Sequence, residues 1–340
     1  MNKLIRVSVI LFAMLLFIAC NFSLNTNATQ KAPTASPTAL MTIAATETET
    51  STPPTVAFTG LPPGDPPKTT ASWLTDAKTP ANVKNAYAIA GDDFAHNQFE
   101  RPFNKDLVYR PDLDIQSATL TLDTQWLYVI IVLDGTDTGK DTLDACYGVE
   151  LDVNLDGRGE FVVWSRPPFT TTWSRENITI YGSSKGTVGG THPLLSDAPW
   201  KGNTYDQILF DGQKPSDVNA AWVRVSPEDP KSLQIAFSPE IIQKPNRFLW
   251  GAWSDDGIKD PSQFDYNDIY TKQDAGSPYK WDPDYPPKSI WAVDDTCRAP
   301  YGFKPVGNVP GACQTQPTPA PQLTQLPGPT ATKTLIPPPG

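Results

Sequence analysis

Histidine is nearly missing from this chain. The two that occur, His96 and His192, sit in no zinc-like or triad-like context. A histidine-built metal centre or a nucleophile–histidine pair therefore has no local support. Methionine is as scarce: Met1, Met14 and Met41 all precede residue 73. A haem in the region that follows would have only a histidine pair to hold it. Basic residues are outnumbered, 27 Lys and Arg against 37 Asp and Glu, for a net charge of −10. That deficit argues against nucleic acid and supplies no pull toward an anionic membrane surface. It suits solubility and cations instead. Helical periodicity is scant, and no glycine-rich loop follows a strand and opens a helix, so nucleotide binding has no support either. Carboxylates for glycoside hydrolysis are plentiful, but their spacing in the fold is not readable from sequence.

Lys3 and Arg6 precede an apolar run over residues 7–19. A positive start followed by a run this short reads as an export signal rather than a membrane span. The run ends Leu16-Phe17-Ile18-Ala19-Cys20. This resembles the lipobox of bacterial lipoproteins, with Phe17 where leucine is usual. The resemblance implies that residues 1–19 are removed. It also implies a lipid on Cys20 that anchors the chain to the membrane at the cell surface. An ordinary secretory signal with an incidental cysteine is the other reading.

Residues 20–72 are rich in Thr, Pro, Ala and Ser and poor in large apolar groups. Such a segment buries too little to offset the entropy of ordering and is expected to be a disordered stalk or spacer. Residues 314–340 share the composition and the expectation. Between them, residues 73–313 suit one β domain. All ten tryptophans lie there.

The organising stretch is residues 146–165, CYGVELDVNLDGRGEFVVWS. Tyr147, Val149, Leu151 and Val153 alternate with Gly148, Glu150, Asp152 and Asn154, the period of a strand with one buried face. An apolar return strand follows at residues 161–164. Further strands are expected at 87–89, 117–122, 126–133 (central, being almost all apolar), 177–181, 220–225, 233–237 and 248–253. A short helix starts at Ser238-Pro239-Glu240. Residues 255–313 read as a loop-rich extension, tied by a Cys297–Cys313 disulfide in an exported protein. Cys146 is left over, a small buried group more than a reactive thiol.

Between the strands of that hairpin, residues 152–160 resemble the first nine positions of the calcium loops of EF-hands and dockerins, D-x-N-x-D-G. The resemblance implies side-chain oxygens from Asp152, Asn154 and Asp156, a bend at Gly157, the Arg158 carbonyl, and Glu160 direct or through water. The twelfth position is Val163, so the bidentate glutamate is missing. Asp and Asn serving only the turn is the competing reading. The acids at Asp255, Asp256, Asp260, Asp265 and Asp268 read as a solvated loop face.

The strand order resembles the jelly-roll sandwiches of family-nine carbohydrate-binding modules and their DOMON-like relatives. The segments that carry it are SATLTLDTQWLYVIIVLDG, the acidic-turn hairpin and LQIAFSPEII, over roughly residues 85–256. It implies an all-β, jelly-roll-like antiparallel β-sandwich and non-catalytic binding of extracellular polysaccharide. Aromatics at strand ends or in loops, Trp164, Trp173, Trp200, Tyr205 and Trp281, are the candidates to stack on a sugar. Trp126, Trp222, Trp250 and Trp253 lie within strands and read as core. A structural or adhesive role toward other surface proteins is the alternative, and an extracellular hydrolase the third reading.

Overall fold

The computed structural model describes residues 61–77, 79, 98–188, 204–214, 220–257, 259–261, 264, 276, 283, 288 and 290–313. The signal segment, Cys20, most of the stalk, the 87–89 strand, Trp200, Trp281 and the 314–340 tail lie outside them. The strands in chain order are β1 (Thr70–Thr75), β2 (Phe99–Arg101), β3 (Ile115–Leu122), β4 (Leu127–Leu133), β5 (Cys146–Asp152), β6 (Phe161–Ser165) and β7 (Ile178–Gly182). They continue with β8 (Gln207–Asp211), β9 (Ala221–Val225), β10 (Ser232–Phe237), β11 (Phe248–Asp255), β12 (Val293–Asp295) and β13 (Ala299–Tyr301).

Two antiparallel sheets result. One has the order β1-β3-β4-β10-β9 and the other β2-β12-β11-β5-β6-β7-β8, with β13 also on β11. Among the connections that pass from one sheet to the other are those from β4 to β5 and from β10 to β11. Because β4 pairs with β10 and β5 with β11, the two crossings run side by side. That relation makes the fold a jelly-roll-like, all-β antiparallel sandwich. β12 and β13 occupy one edge of β11, with residues 296–298 bulging between them.

Alternation sets what each face buries. From β3, β4, β5 and β11, residues Ala118, Leu120, Val129, Ile131, Tyr147, Val149, Leu151, Trp250 and Ala252 meet in the space between the sheets. The opposite faces are covered too. Outside the larger sheet, Cys146, Val162, Trp164, Tyr205, Trp253 and Phe264 form a second cluster. Outside the smaller sheet, Trp126, Tyr128, Trp222 and Ala236 form a third.

Local chemistry fixes the turns. Between β3 and β4, Asp123 Oδ1 accepts the N–H groups of Gln125 and Trp126 at 2.7 and 2.8 Å, and its Oδ2 accepts the Tyr128 hydroxyl. After β10, Ser238 caps a single 3-10 turn at Pro239–Ile242, accepting the Glu240 N–H.

Regular structure starts earlier than residue 73. β1 begins at Thr70, and Ser72 Oγ donates to the Pro300 carbonyl at 2.7 Å while accepting Trp250 Nε1–H at 2.9 Å. Upstream, Asp65 pairs with Arg224 at 2.7 Å and the Gly64 carbonyl accepts Trp173 Nε1–H. Specific polar anchors order residues that composition alone assigns to the stalk. β2, β8, β12 and β13 are further additions. Of the acids expected on a solvated loop face, Asp260 is exposed, Asp265 and Asp268 lie outside the described residues, and two differ from that expectation. Asp255 is buried, and Asp256 pairs with both Arg110 and Lys259 at 2.6 Å.

Candidate metal and ligand sites

The hairpin forms as its alternation requires, β5 on β6 with Leu151 opposite Phe161 and Tyr147 opposite Ser165. Its loop brings carboxylate oxygens of Asp152, Asp156 and Glu160 within 4.8 Å of one another. Asp152 is buried, Glu160 half-buried, Asn154 and Asp156 exposed. The same oxygens also shape the loop. Asp152 accepts the N–H of Leu155 at 2.6 Å and of Gly157 at 2.8 Å. Asn154 Oδ1 accepts from Asp156 N–H, and Asp156 Oδ1 from Arg158 N–H. Glu160 accepts from Val153 N–H and from the Asn154 amide. The Arg158 side chain donates to the Thr187 carbonyl. Val163 lies in the core between the sheets and offers no ligand.

Both readings of the loop therefore share one geometry. A carboxylate oxygen that accepts one N–H keeps a lone pair for a cation. Oxygens on a calcium shell at 2.3–2.6 Å are at most about 5 Å apart, which this trio fits. Burial pushes Glu160 up to about 7; the Val153 N–H opposes this, while Asp152 and Asp156 add to it. Burial also raises Asp152, against the pull of Arg298.

Arg298 is the hub behind the loop. Nη2 donates to Glu150 Oε2 and Nη1 to the Gly157 carbonyl, both at 2.5 Å. Tyr205 donates to the other Glu150 oxygen at 2.5 Å. The Cys297–Cys313 disulfide forms beside Arg298. It holds the strap at residues 310–313 against the loop. Gly157 has φ +89°, and a Cβ there would stand 2.6 Å from Pro310 Cβ. Glycine is thus required twice over.

The aromatic candidates need correction. Trp164 is 0% exposed and Tyr205 2%. Trp164 lies over Gly148, its cross-strand partner, where a Cβ would come within 2.5 Å of the indole. Phe264 packs edge-on to Trp164 and stacks on Trp253 at 4.7 Å. Neither Trp164 nor Tyr205 can meet a sugar. Trp173 is half-buried, with the Arg224 guanidinium 4.4 Å from its ring centre. Trp126, Trp222, Trp250 and Trp253 are buried in the strands or turns that carry them. Among the described residues the exposed tryptophan is Trp73 on β1, at 65%.

A concave surface lies elsewhere, on the outer face of β7 and β8. Arg166, Asn177, Tyr181, Ile208, Asp211 and Gln213 line a cleft of about 330 Å³, with Glu176 and Thr179. Arg166 donates to the Tyr181 hydroxyl at 2.8 Å. Ile208 is exposed beside it. Tyr181 falls in a strand that the sequence does reveal, but its partner strand β8 has only an edge pattern, so the cleft was not foreseen.

No family model, no curated protein and no solved structure matches this chain.

Proposed function

We propose that this is an exported, lipid-anchored surface protein whose sandwich binds extracellular carbohydrate without catalysis. In this reading residues 1–19 are the signal, Cys20 carries the lipid, and the Thr/Pro-rich segment lifts the sandwich from the membrane. Calcium stabilises the hairpin loop through the side-chain oxygens of Asp152, Asn154 and Asp156 and the Arg158 carbonyl, with Glu160 a direct or water-bridged ligand. The strand pattern's resemblance to family-nine carbohydrate-binding modules and DOMON-like domains supports this reading.

The cleft beside Tyr181 carries the sugar reading. A pyranose presents C–H faces and a rim of hydroxyls, so it calls for an aromatic or apolar wall ringed by hydrogen-bonding groups. Tyr181 and Ile208 supply the wall; Arg166, Asn177, Asp211 and Gln213 supply the rim. The acids there serve structure or binding: Asp211 accepts the Gln213 N–H and faces Lys214.

Screening the full chain on a glycan array, with affinity electrophoresis in polysaccharide gels, tests this. Retention by at least one polysaccharide is the expected result. Silence on both would leave the adhesive role toward other surface proteins.

A further inference from the structure

We infer that a second calcium ion, independent of the hairpin loop, binds between Asp76, Glu100 and Asp294 and clamps the two sheets at one edge. Asp76 follows β1, in the smaller sheet. Glu100 lies in β2 and Asp294 in β12, in the larger one. Carboxylate oxygens of the three lie within 4.8 Å of one another, the span of an oxygen shell around one calcium.

Two oxygens of this trio, one on Asp76 and one on Asp294, are not used up by the protein. Asp294 is 0% exposed; its Oδ2 accepts the Ile115 N–H at 2.5 Å, and its buried Oδ1 accepts nothing. Asp76 Oδ1 accepts from Ala77 N–H and the Gln98 amide, both at 2.8 Å, while its buried Oδ2 accepts nothing. Glu100, also fully buried, accepts the Thr79 hydroxyl. Native interiors seldom leave buried oxygens without a partner.

Register sharpens the point. Asp294 and Glu100 are direct cross-strand partners. Like charges placed opposite each other repel, and here both are out of water. The charges acting most strongly on Asp294 are Glu100, Asp76 and Asp114, all negative. Burial, then these neighbours, hold Asp294 well above the ordinary carboxylate range. A hard divalent cation removes the repulsion and supplies a partner to both orphan oxygens. Among the described residues every donor here is oxygen and no histidine or thiol takes part, which favours calcium over zinc or copper. Shared protons are the competing way to neutralise the trio.

Metal content separates the two. The full chain is loaded with calcium chloride, desalted, and its bound calcium counted by native mass spectrometry. The same is done for Asp156→Ala, which removes a loop ligand, and Asp294→Asn. The expected result is one calcium that Asp156→Ala keeps and Asp294→Asn loses, with a fall in Tm when chelator strips it from Asp156→Ala. Asp156→Ala free of calcium overturns the inference, even should Asp294→Asn fail to fold. So does an Asp294→Asn variant with undiminished calcium and a Tm at or above that of the unmodified chain, the pattern of shared protons. Loss of calcium from Asp156→Ala alone, with the count in Asp294→Asn unchanged, would assign all binding to the loop and equally overturn it.

Discussion

Glu150 sits on the outer face of β5 with almost no access to water, and two groups make that tolerable. Arg298 reaches one carboxylate oxygen and Tyr205 the other. A buried pair of this kind adds little over an apolar replacement, yet losing one partner strands a charge. Arg298→Met should therefore cost about 3–5 kcal/mol in urea unfolding. The double variant with Glu150→Leu should recover most of it. A single-variant cost near zero would mean Glu150 finds water in the folded protein. Cys146, on the same face, is governed by burial. That burial, and then Asp255, pushes its thiol up to about 12, so it packs as a small apolar group and is a poor nucleophile at neutral pH.

At the scale of elements, hairpins were readable and short edge strands were not. β3, β5 and β10 announce themselves through period-two alternation, and β4, β6, β7, β9 and β11 as short β-rich runs bounded by turn residues. β12 reads Val293-Asp-Asp295, and nothing local says that its acids are buried. Its partner β2 has the same problem. The loop at 152–160 was legible as a set of oxygen donors. The same oxygens also hold the backbone, through the N–H groups of Leu155, Gly157, Asp156 and Arg158. Trp164 was misassigned, although Phe161-Val162-Val163-Trp164 is apolar on both faces, the mark of a strand covered on both sides. Tyr205 could not have been placed, because Glu150 lies 55 positions away in the chain.

Two tests belong at this scale. Although burial pulls the Asp123 carboxyl up, its hydrogen bonds to Gln125, Trp126 and Tyr128 hold it below the ordinary value. A depressed pKa contributes stability above the unfolded value of about 3.9, lost as pH falls through the folded value. Asp123→Ala should then cost about 1 kcal/mol at pH 7 and less at pH 3 in parallel thermal melts. An equal cost at both would place the effect in packing rather than in the charged turn. Replacing Cys297 and Cys313 by serine opens a loop with a separation of 16 residues. It should cost about 3 kcal/mol and raise amide exchange at Gly157, where Pro310 rests. Unchanged exchange there would mean that the strap holds without its bond.

For the whole molecule, the architecture was the most legible layer. Residues 73–313 were expected as one antiparallel sandwich, and two packed sheets carry the described part of that span. Regular structure begins ahead of that span, at Thr70, where Ser72 and, upstream, Asp65 act through partners more than 150 positions away. Function was the least legible layer. Strand pattern specifies a scaffold, while the cleft on β7 and β8 depends on how separate segments meet in space. The buried acids at the edge show the same limit. Asp76, Glu100 and Asp294 are unremarked in sequence and come together through the pairing of β2 with β12 and the packing of β3 beside them.

Calorimetric titration of the polysaccharide retained in gels, against the unmodified chain and Tyr181→Ala, tests the central claim most directly. The account predicts roughly tenfold weaker binding by Tyr181→Ala, about 1.4 kcal/mol, with the folded state retained by circular dichroism. Equal affinity in the two proteins would contradict it and move the carbohydrate site off this cleft.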